Sequence, residues 1–449
     1  MQSRPGSCTA AVVHRRYSVY SKKVKDHLVS RQDANDHGDS NNLTFTVQWH
    51  ASIAEVSKTE WDALAAPLHT PFLEWEWLHQ LEASGSIQPQ QGWVPAHLTL
   101  WHDTRLVAAA PLYAKTHSMG EFVFDFAWAD VADQLGQEYY PKLVGMSPAT
   151  PSVGYRFLVA EQLDLASTTR AMLQVIHQFC EENSLHSVSF LFADPEWAEV
   201  VAGAGFCAWE HQSYLWQNDG FNTFEDYLAA FTKNQRRNIR RERASVAEQR
   251  LLLEAVPAES APDSWFSLMY DYYENTNEQF GPWAAKYLER PFFEGLKQSY
   301  RSRLLFVAAF EREARGSQAG HSLRTGLSRQ TGRSPVALSF LVHKNDHLVG
   351  RYWGARRYFE NLHFNACYYM PIEWAITNGI RTFDPGAGSP HKVRRGFRAV
   401  INRSLHHFYN PVLRSLMERN IDRINRHERR QAEELNSLLP LKPRDANET

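Results

Sequence analysis

Apolar and polar residues alternate along this chain in blocks whose order repeats. In the first half, His97 to Trp101 and Leu106 to Leu112 are apolar runs around the polar stretch His102-Asp103-Thr104-Arg105, which predicts a hairpin. Thr168 or Thr169 then caps a helix whose Met172, Val175, Ile176, Phe179 and Cys180 recur at the spacing of one buried face. A strand is expected next at Ser187 to Phe192. In the second half, Leu304 to Phe310 and Ala337 to Val342 predict strands, Lys344-Asn345-Asp346 a turn, and Leu348 to Trp353 the returning strand. A helix over 364–378 puts Phe364, Tyr368, Ile372, Ala375 and Ile376 on one side, stops at Asn378-Gly379, and leads into a short strand from Arg381 to Asp384. Hairpin, helix, stop and strand thus occur twice, which predicts a duplicated α/β unit.

Residues 224–248 read as strongly helical, and 264–300 hold two more helical stretches rich in Trp265, Leu268, Tyr272, Tyr287, Phe292 and Leu296. Residues 312–335 are rich in Gly, Ser and Arg and nearly free of large apolar groups, so an inserted, disordered loop is expected between two strands. An Arg-rich amphipathic helix is expected over 411–438, with Leu413, Leu416, Ile421 and Ile424 on its apolar side. At 449 residues the chain is long enough for two cores. The expected division is a disordered or targeting segment 1–43, a first domain 44–220, a second domain 221–410 and a C-terminal helix and tail 411–449.

No apolar run approaches the ~18 residues that cross a bilayer, so a soluble chain without membrane insertion is expected. The four cysteines, Cys8, Cys180, Cys207 and Cys367, form no CxxC pair, which argues against a zinc site or a disulfide framework and for a reducing compartment. Residues 1–25 are basic, serine-containing and free of acidic groups. That is the bias of an organelle transit peptide, and equally of a plain tail, so the expectation is cytoplasmic or organelle-targeted. The overall charge of −2 hides an asymmetry: residues 44–220 carry a net −15 and residues 221–449 a net +10. The field of the second half favours an anionic ligand.

Candidate chemistry concentrates there. Gly350-Arg351-Tyr352-Trp353-Gly354 brackets a cation and two aromatics at a strand end; glycine permits close approach of a ligand, and Arg351 suits a carboxylate or phosphate. Asp384-Pro385-Gly386-Ala387-Gly388 is expected to form a loop presenting backbone N–H groups, followed by His391, Lys392, Arg394 and Arg395, an arrangement that suits an anion. Lys392 is placed to stabilise an oxyanion in acyl transfer or to protonate a leaving group. Lys233, Arg236, Arg237, Arg240 and Arg241 fall on one broad side of a helix, a basic face for pyrophosphate, CoA or RNA. His363, His406 and His407 lack partners at metal-ligand spacing, and Cys367 reads as a buried thiol.

The segments PFLEWEWLHQLEASGSIQPQQGWVPAHLTLW, PLYAKTHSMGEFVFDFAWA and YYPKL, followed in order by KNQRRNIRRER, GRYWG, HFNACYYMPIEWAI and GAGSPHKVRRGF, resemble the FemAB-like family over about residues 44–410. The resemblance implies tandem GNAT-like domains, each a mixed sheet flanked by helices. It also implies kinship with transferases that move amino acids from aminoacyl-tRNA onto peptidoglycan precursors. It places Lys392, with Phe397, near the reaction centre and Arg236, Arg237 or Arg240 against phosphates. The function expected is an N-acyltransferase acting on a small-molecule or peptide amine, with acyl-CoA or aminoacyl-tRNA as donor, no metal, and tRNA as a further partner. Lys392, Arg351 and Tyr352 are the candidate catalytic residues; Arg236, Arg237, Arg240, Gly386, Gly388, His391, Arg395 and Phe397 are the candidate binding residues.

The chain departs from the family in three places. Gly386 to Lys392 reads GAGSPHK where relatives carry Gln and Glu, Asn365 stands where a helix Glu is usual, and Pro371 enters what should be a continuous helix. The alternative reading is therefore a non-catalytic protein recognising a glycan-peptide or another macromolecule through a degenerate site.

Overall fold

In the computed structural model the described residues are 21–25, 44–281, 284–312, 334–388 and 390–442. Nearly all of the expected N-terminal segment and of the Gly/Ser/Arg-rich stretch 312–335 lies outside them. The chain divides into two compact units, Met1–His211 with Ile401–Arg429, and Gln212–Val400 with Arg430–Thr449. Each is mixed α/β, with helices flanking sheets.

In the first unit, strands Ser21–Lys25, Thr44–His50, His97–His102, Arg105–Ala110 and Leu158–Val159 pair antiparallel in that order. The expected hairpin is the pair His97–His102 and Arg105–Ala110, turned at Asp103 with a positive φ of 53°. A second set runs Trp93–Pro95, Leu112–Lys115, Lys142–Gly145, Ser187–Phe190. Its last two strands are parallel, and the helix Leu165–Glu182 lies between them in sequence. That helix buries Met172, Leu173, Ile176, Phe179 and Cys180. Its cap is Asp164, whose carboxylate accepts from Ser167 N, and not Thr168 or Thr169. Both threonines are buried in the first turn, where Thr169 Oγ1 accepts from Trp197 Nε1 at 3.1 Å.

The C-terminal helix Pro411–Ser437 packs Leu413, Met417 and Ile421 against Phe408 and Tyr139. Its buried stripe continues at Asn425 and passes through Met417, where Leu416 and Ile424 were expected. Asn425 belongs inside because its amide meets Glu210 N and Ala208 O, each at 2.9 Å, satisfying strand backbone that an apolar side chain would leave bare.

The second unit orders its strands Leu251–Pro257, Leu304–Glu311, Ala337–Lys344, His347–Ala355 and Thr382–Asp384. The first four are antiparallel and the last is parallel to its neighbour. Helices Lys233–Glu248, Ser264–Glu278 and Arg290–Ser299 pack on this sheet. Between the two parallel strands the chain forms a helix in three pieces: Leu362–Phe364, a π-helical turn Asn365–Tyr369, and Met370–Thr377. Pro371 explains the middle piece. It has no N–H to give and its ring would strike the carbonyl four residues back, so the helix widens before it and restarts at Met370.

Candidate functional site in the second unit

The loop after the strand Thr382–Asp384 and the short 3-10 turn Pro390–Arg395 bring most of the candidate residues together. Gly386 and Gly388 have φ of 80° and 144°, values that only glycine takes easily, and they fold the loop back on itself. Gly386 N donates to Asp384 Oδ1 at 2.8 Å. The carbonyls of Gly386 and Ala387 turn inward and accept from Lys392 Nζ at 2.6 and 2.9 Å. The loop was expected to aim N–H groups at an anion; it aims carbonyls at its own lysine instead.

Lys392 is 1% exposed and its Nζ lies 5.4 Å from the centre of the Tyr214 ring. Burial pushes its ammonium down to about 8, with the charge of Asp384 and the Cys367 thiol only partly opposing the shift. Two neutral carbonyls satisfy hydrogen bonds but bring no counter-charge. An ammonium has three donors, and two are committed here. The same burial pushes the Cys367 thiol up to about 12, so it is no nucleophile at neutral pH.

Gly350 and Gly354 were expected to admit a ligand. Both are approached by the chain itself: a Cβ at Gly354 would lie 2.1 Å from Tyr272 O, and one at Gly350 would lie 3.5 Å from the Pro385 backbone. The strand His347–Ala355 thus presses the glycine loop on one side and the helix Ser264–Glu278 on the other. Its register against Ala337–Lys344 slips at Phe340/Leu341, leaving Arg351 as the extra residue of a β-bulge. Arg351 is half-buried and lies over the Tyr352 ring at 5.1 Å. The Tyr352 ring is itself packed edge-on against Tyr273 and Phe293, each at 5.4 Å between centres.

The remaining candidates split by environment. Arg395 is 3% exposed and donates to Glu242 Oε2 at 2.8 Å and to His391 O at 3.0 Å, with its guanidinium 3.4 Å from the centre of the Phe364 ring. Glu242 also accepts the Tyr369 hydroxyl. Arg395 therefore ties the 3-10 turn to the basic helix and the π turn, where sequence had marked it as a ligand group. Phe397 is fully buried between Tyr368 and Phe383. His391 is half-buried, with Nε2 3.2 Å from the Tyr368 hydroxyl, and burial and the nearby Arg395 and Lys392 lower its imidazole below the ordinary range.

Lys233, Asn234, Arg236, Arg237 and Arg240 line one open cleft at the start of the helix Lys233–Glu248. Arg240 pairs with Glu225 at 2.8 Å, both side chains more than half exposed. On the same helix Gln235 Nε2 donates to Arg394 O at 2.6 Å, joining the cationic cleft to the turn that carries Lys392. Sequence reasoning missed Glu242, Tyr369 and Tyr214, and placed Asp384 only where the strand ends and the glycine loop begins. Glu242 sits among five arginines and reads there as part of a solvated face; only its long-range partners reveal its role.

The sequence profile of the FemAB-like family, described as peptidoglycan biosynthesis/recognition, matches residues 52–443. No curated protein matches the chain. Among solved structures the chain is similar to FemX, at 10% identity and a TM-score of 0.48, over 81% of this chain and 98% of that one. It is also similar to L-PGS from Bacillus licheniformis, at 10% identity and a TM-score of 0.43, over 81% and 97% of the two chains. A tandem GNAT protein from the clavulanic acid biosynthesis pathway aligns at 10% identity and a TM-score of 0.39, over 82% and 99%.

Proposed function

The chain belongs to the FemAB-like family of peptidoglycan biosynthesis/recognition, and from that membership we propose that it is an N-acyltransferase whose reaction centre lies at Lys392. It moves an acyl or aminoacyl group from an activated ester or thioester to an amine. The observation that carries this reading is a buried lysine whose ammonium is pushed down to about 8 while two of its three hydrogens hold a glycine loop. A cation so fixed is preorganised, and its remaining N–H suits the negative charge that develops on a carbonyl oxygen as the amine attacks. With that acidity it also suits proton delivery to the leaving group near neutral pH. Arg236 and Arg237 in the open cleft, with Arg240 beside Glu225, suit the phosphates of the donor, whether acyl-CoA or aminoacyl-tRNA. Arg351, re-aimed by its bulge, and Tyr352 are positioning candidates on the neighbouring strand.

The depth of Lys392 favours a second reading. At 1% exposure, with both bonds to its own loop, it acts there as a staple in a protein that recognises a glycan-peptide without reacting. A donor screen separates the two. Acetyl-CoA, longer acyl-CoAs, nucleotide-linked precursors and aminoacyl-tRNA are offered to the full chain, and melting is followed. A ligand at 100 times its dissociation constant adds ~2.7 kcal/mol to the folded state. Any binding donor is then incubated with primary amines and the mixture weighed for acylated product. Product supports the transferase; a chain that binds no donor and forms no product is a recognition protein.

A further inference from the structure

The first unit buries a set of charges that the reading of the second unit does not use. Lys142 is 1% exposed and commits all three ammonium hydrogens: to Ser118 Oγ at 2.8 Å, Glu121 Oε2 at 2.7 Å and Asp125 Oδ2 at 2.6 Å. Tyr139 Oη donates to Asp125 Oδ2 at 2.7 Å, and the Tyr140 hydroxyl lies 2.7 Å from Ser118 Oγ. Lys115, fully buried, donates to Met119 O at 2.8 Å and stands 3.3 Å from the centre of the Trp93 ring.

Around this network four buried polar atoms have no partner among the described residues: Glu121 Oε1, Asp125 Oδ1, His211 Nε2 and His406 Nε2. Glu121, Asp125 and His406 are each at most 3% exposed. The two imidazoles border the same charges, since His406 senses His211, Asp125 and Lys142, and His211 senses Asp125. Burial pushes them down to about 3 and about 4, so both are neutral at physiological pH, and the role of each open nitrogen follows from its tautomer. A network kept only for stability closes its hydrogen bonds, because a buried carboxylate oxygen without a donor is costly. Here one oxygen of each acid, the inner, accepts from Lys142, that of Asp125 also from Tyr139, while the other, the outer, has no partner among the described residues.

The two open carboxylate oxygens are acceptors, which selects a ligand rich in N–H donors. A divalent metal ion is disfavoured, because the Lys142 ammonium already offsets one of the two carboxylate charges and leaves a single negative charge, which a monovalent cation matches. We propose that the first unit binds a primary ammonium group through Glu121 Oε1 and Asp125 Oδ1, with His406 alongside. Lys115, pushed down to about 7 by burial, yields its proton readily and so accommodates the added positive charge. The binding stands independently of the transferase assignment.

The test uses ethylammonium chloride on the full chain, with ethanol and sodium acetate as controls at matched ionic strength. Saturable stabilisation by ethylammonium alone, weakened at least tenfold by Glu121→Gln and by Asp125→Asn, supports the site. Equal effects of ethanol, stabilisation by acetate, or none by ethylammonium overturns it. Because the variants risk misfolding, a wild-type crystal soaked in ethylammonium gives a second answer. Nitrogen within hydrogen-bond distance of both outer oxygens supports the proposal, and water alone at those oxygens contradicts it. Acylation activity is read separately, so loss of the transferase reading leaves this outcome visible.

Discussion

Lys142 in the first unit and Lys392 in the second are each 1% exposed, yet their surroundings drive the two ammonium groups in opposite directions. Burial opposes the charge of both. At Lys142 the carboxylates of Glu121 and Asp125 outweigh it and hold the ammonium well above its ordinary range. At Lys392 the partners are neutral carbonyls, burial wins, and the group falls to about 8. The difference teaches that hydrogen bonds alone do not fix a buried charge; a counter-charge does. Lys142 is a permanent cation that organises a network, whereas Lys392 exchanges a proton near neutrality.

The comparison breaks most visibly at Lys142. Lys142→Met leaves two buried carboxylates uncompensated and should cost ~3–5 kcal/mol in denaturant unfolding, with part recovered by adding Asp125→Asn. In the second unit the corresponding charge pair is Arg395 with Glu242, the latter 20% exposed on its side chain. Glu242→Ala should therefore cost less, ~2–3 kcal/mol, by stranding the buried guanidinium. The two lysines should also give opposite pH signatures. A folded-state pKa of about 8, below the unfolded value of ~10.4, means the unfolded chain binds more protons between those limits. The Lys392 contribution to stability should rise from pH 8 to 10.5 and vanish in Lys392→Met, a difference readable by denaturation across that range. Lys142, raised above its unfolded value, contributes stability present below pH ~10 and lost above it. The smallest effect is expected at Arg240, whose partner Glu225 is 70% exposed. Arg240→Ala should change stability by less than ~0.5 kcal/mol while weakening and flattening the salt dependence of polyanion binding.

The order of strands and helices was legible because period-2 and period-3.6 patterns survive in both halves, and the hairpin at Asp103 and the stop at Gly379 lie where the residues put them. Boundaries were less so: Asp164 caps a helix that threonines seemed to start, and Asn425 lies inward because it serves strand backbone. At the candidate site, Lys392 and its glycine loop were legible as a cation beside a turn. The orientation of that loop was not, since a sequence does not say whether amides or carbonyls face inward. Phe397 was marked by motif position and Arg395 as a cation beside the glycine loop, but their partners Glu242, Tyr369 and Tyr368 lie far away in sequence. The charges of the first unit escaped notice for the same reason: Lys142 reads as the polar start of an apolar strand until Glu121 and Asp125 are brought against it.

The most direct test of the central claim is the rate of acyl transfer to a primary amine by Lys392→Ala, measured with the donor that binds and with folding checked by circular dichroism. A fall of at least ~100-fold with the fold intact is the expected result. Turnover equal to that of the wild type would place the reaction centre elsewhere and leave Lys392 as the staple of its loop.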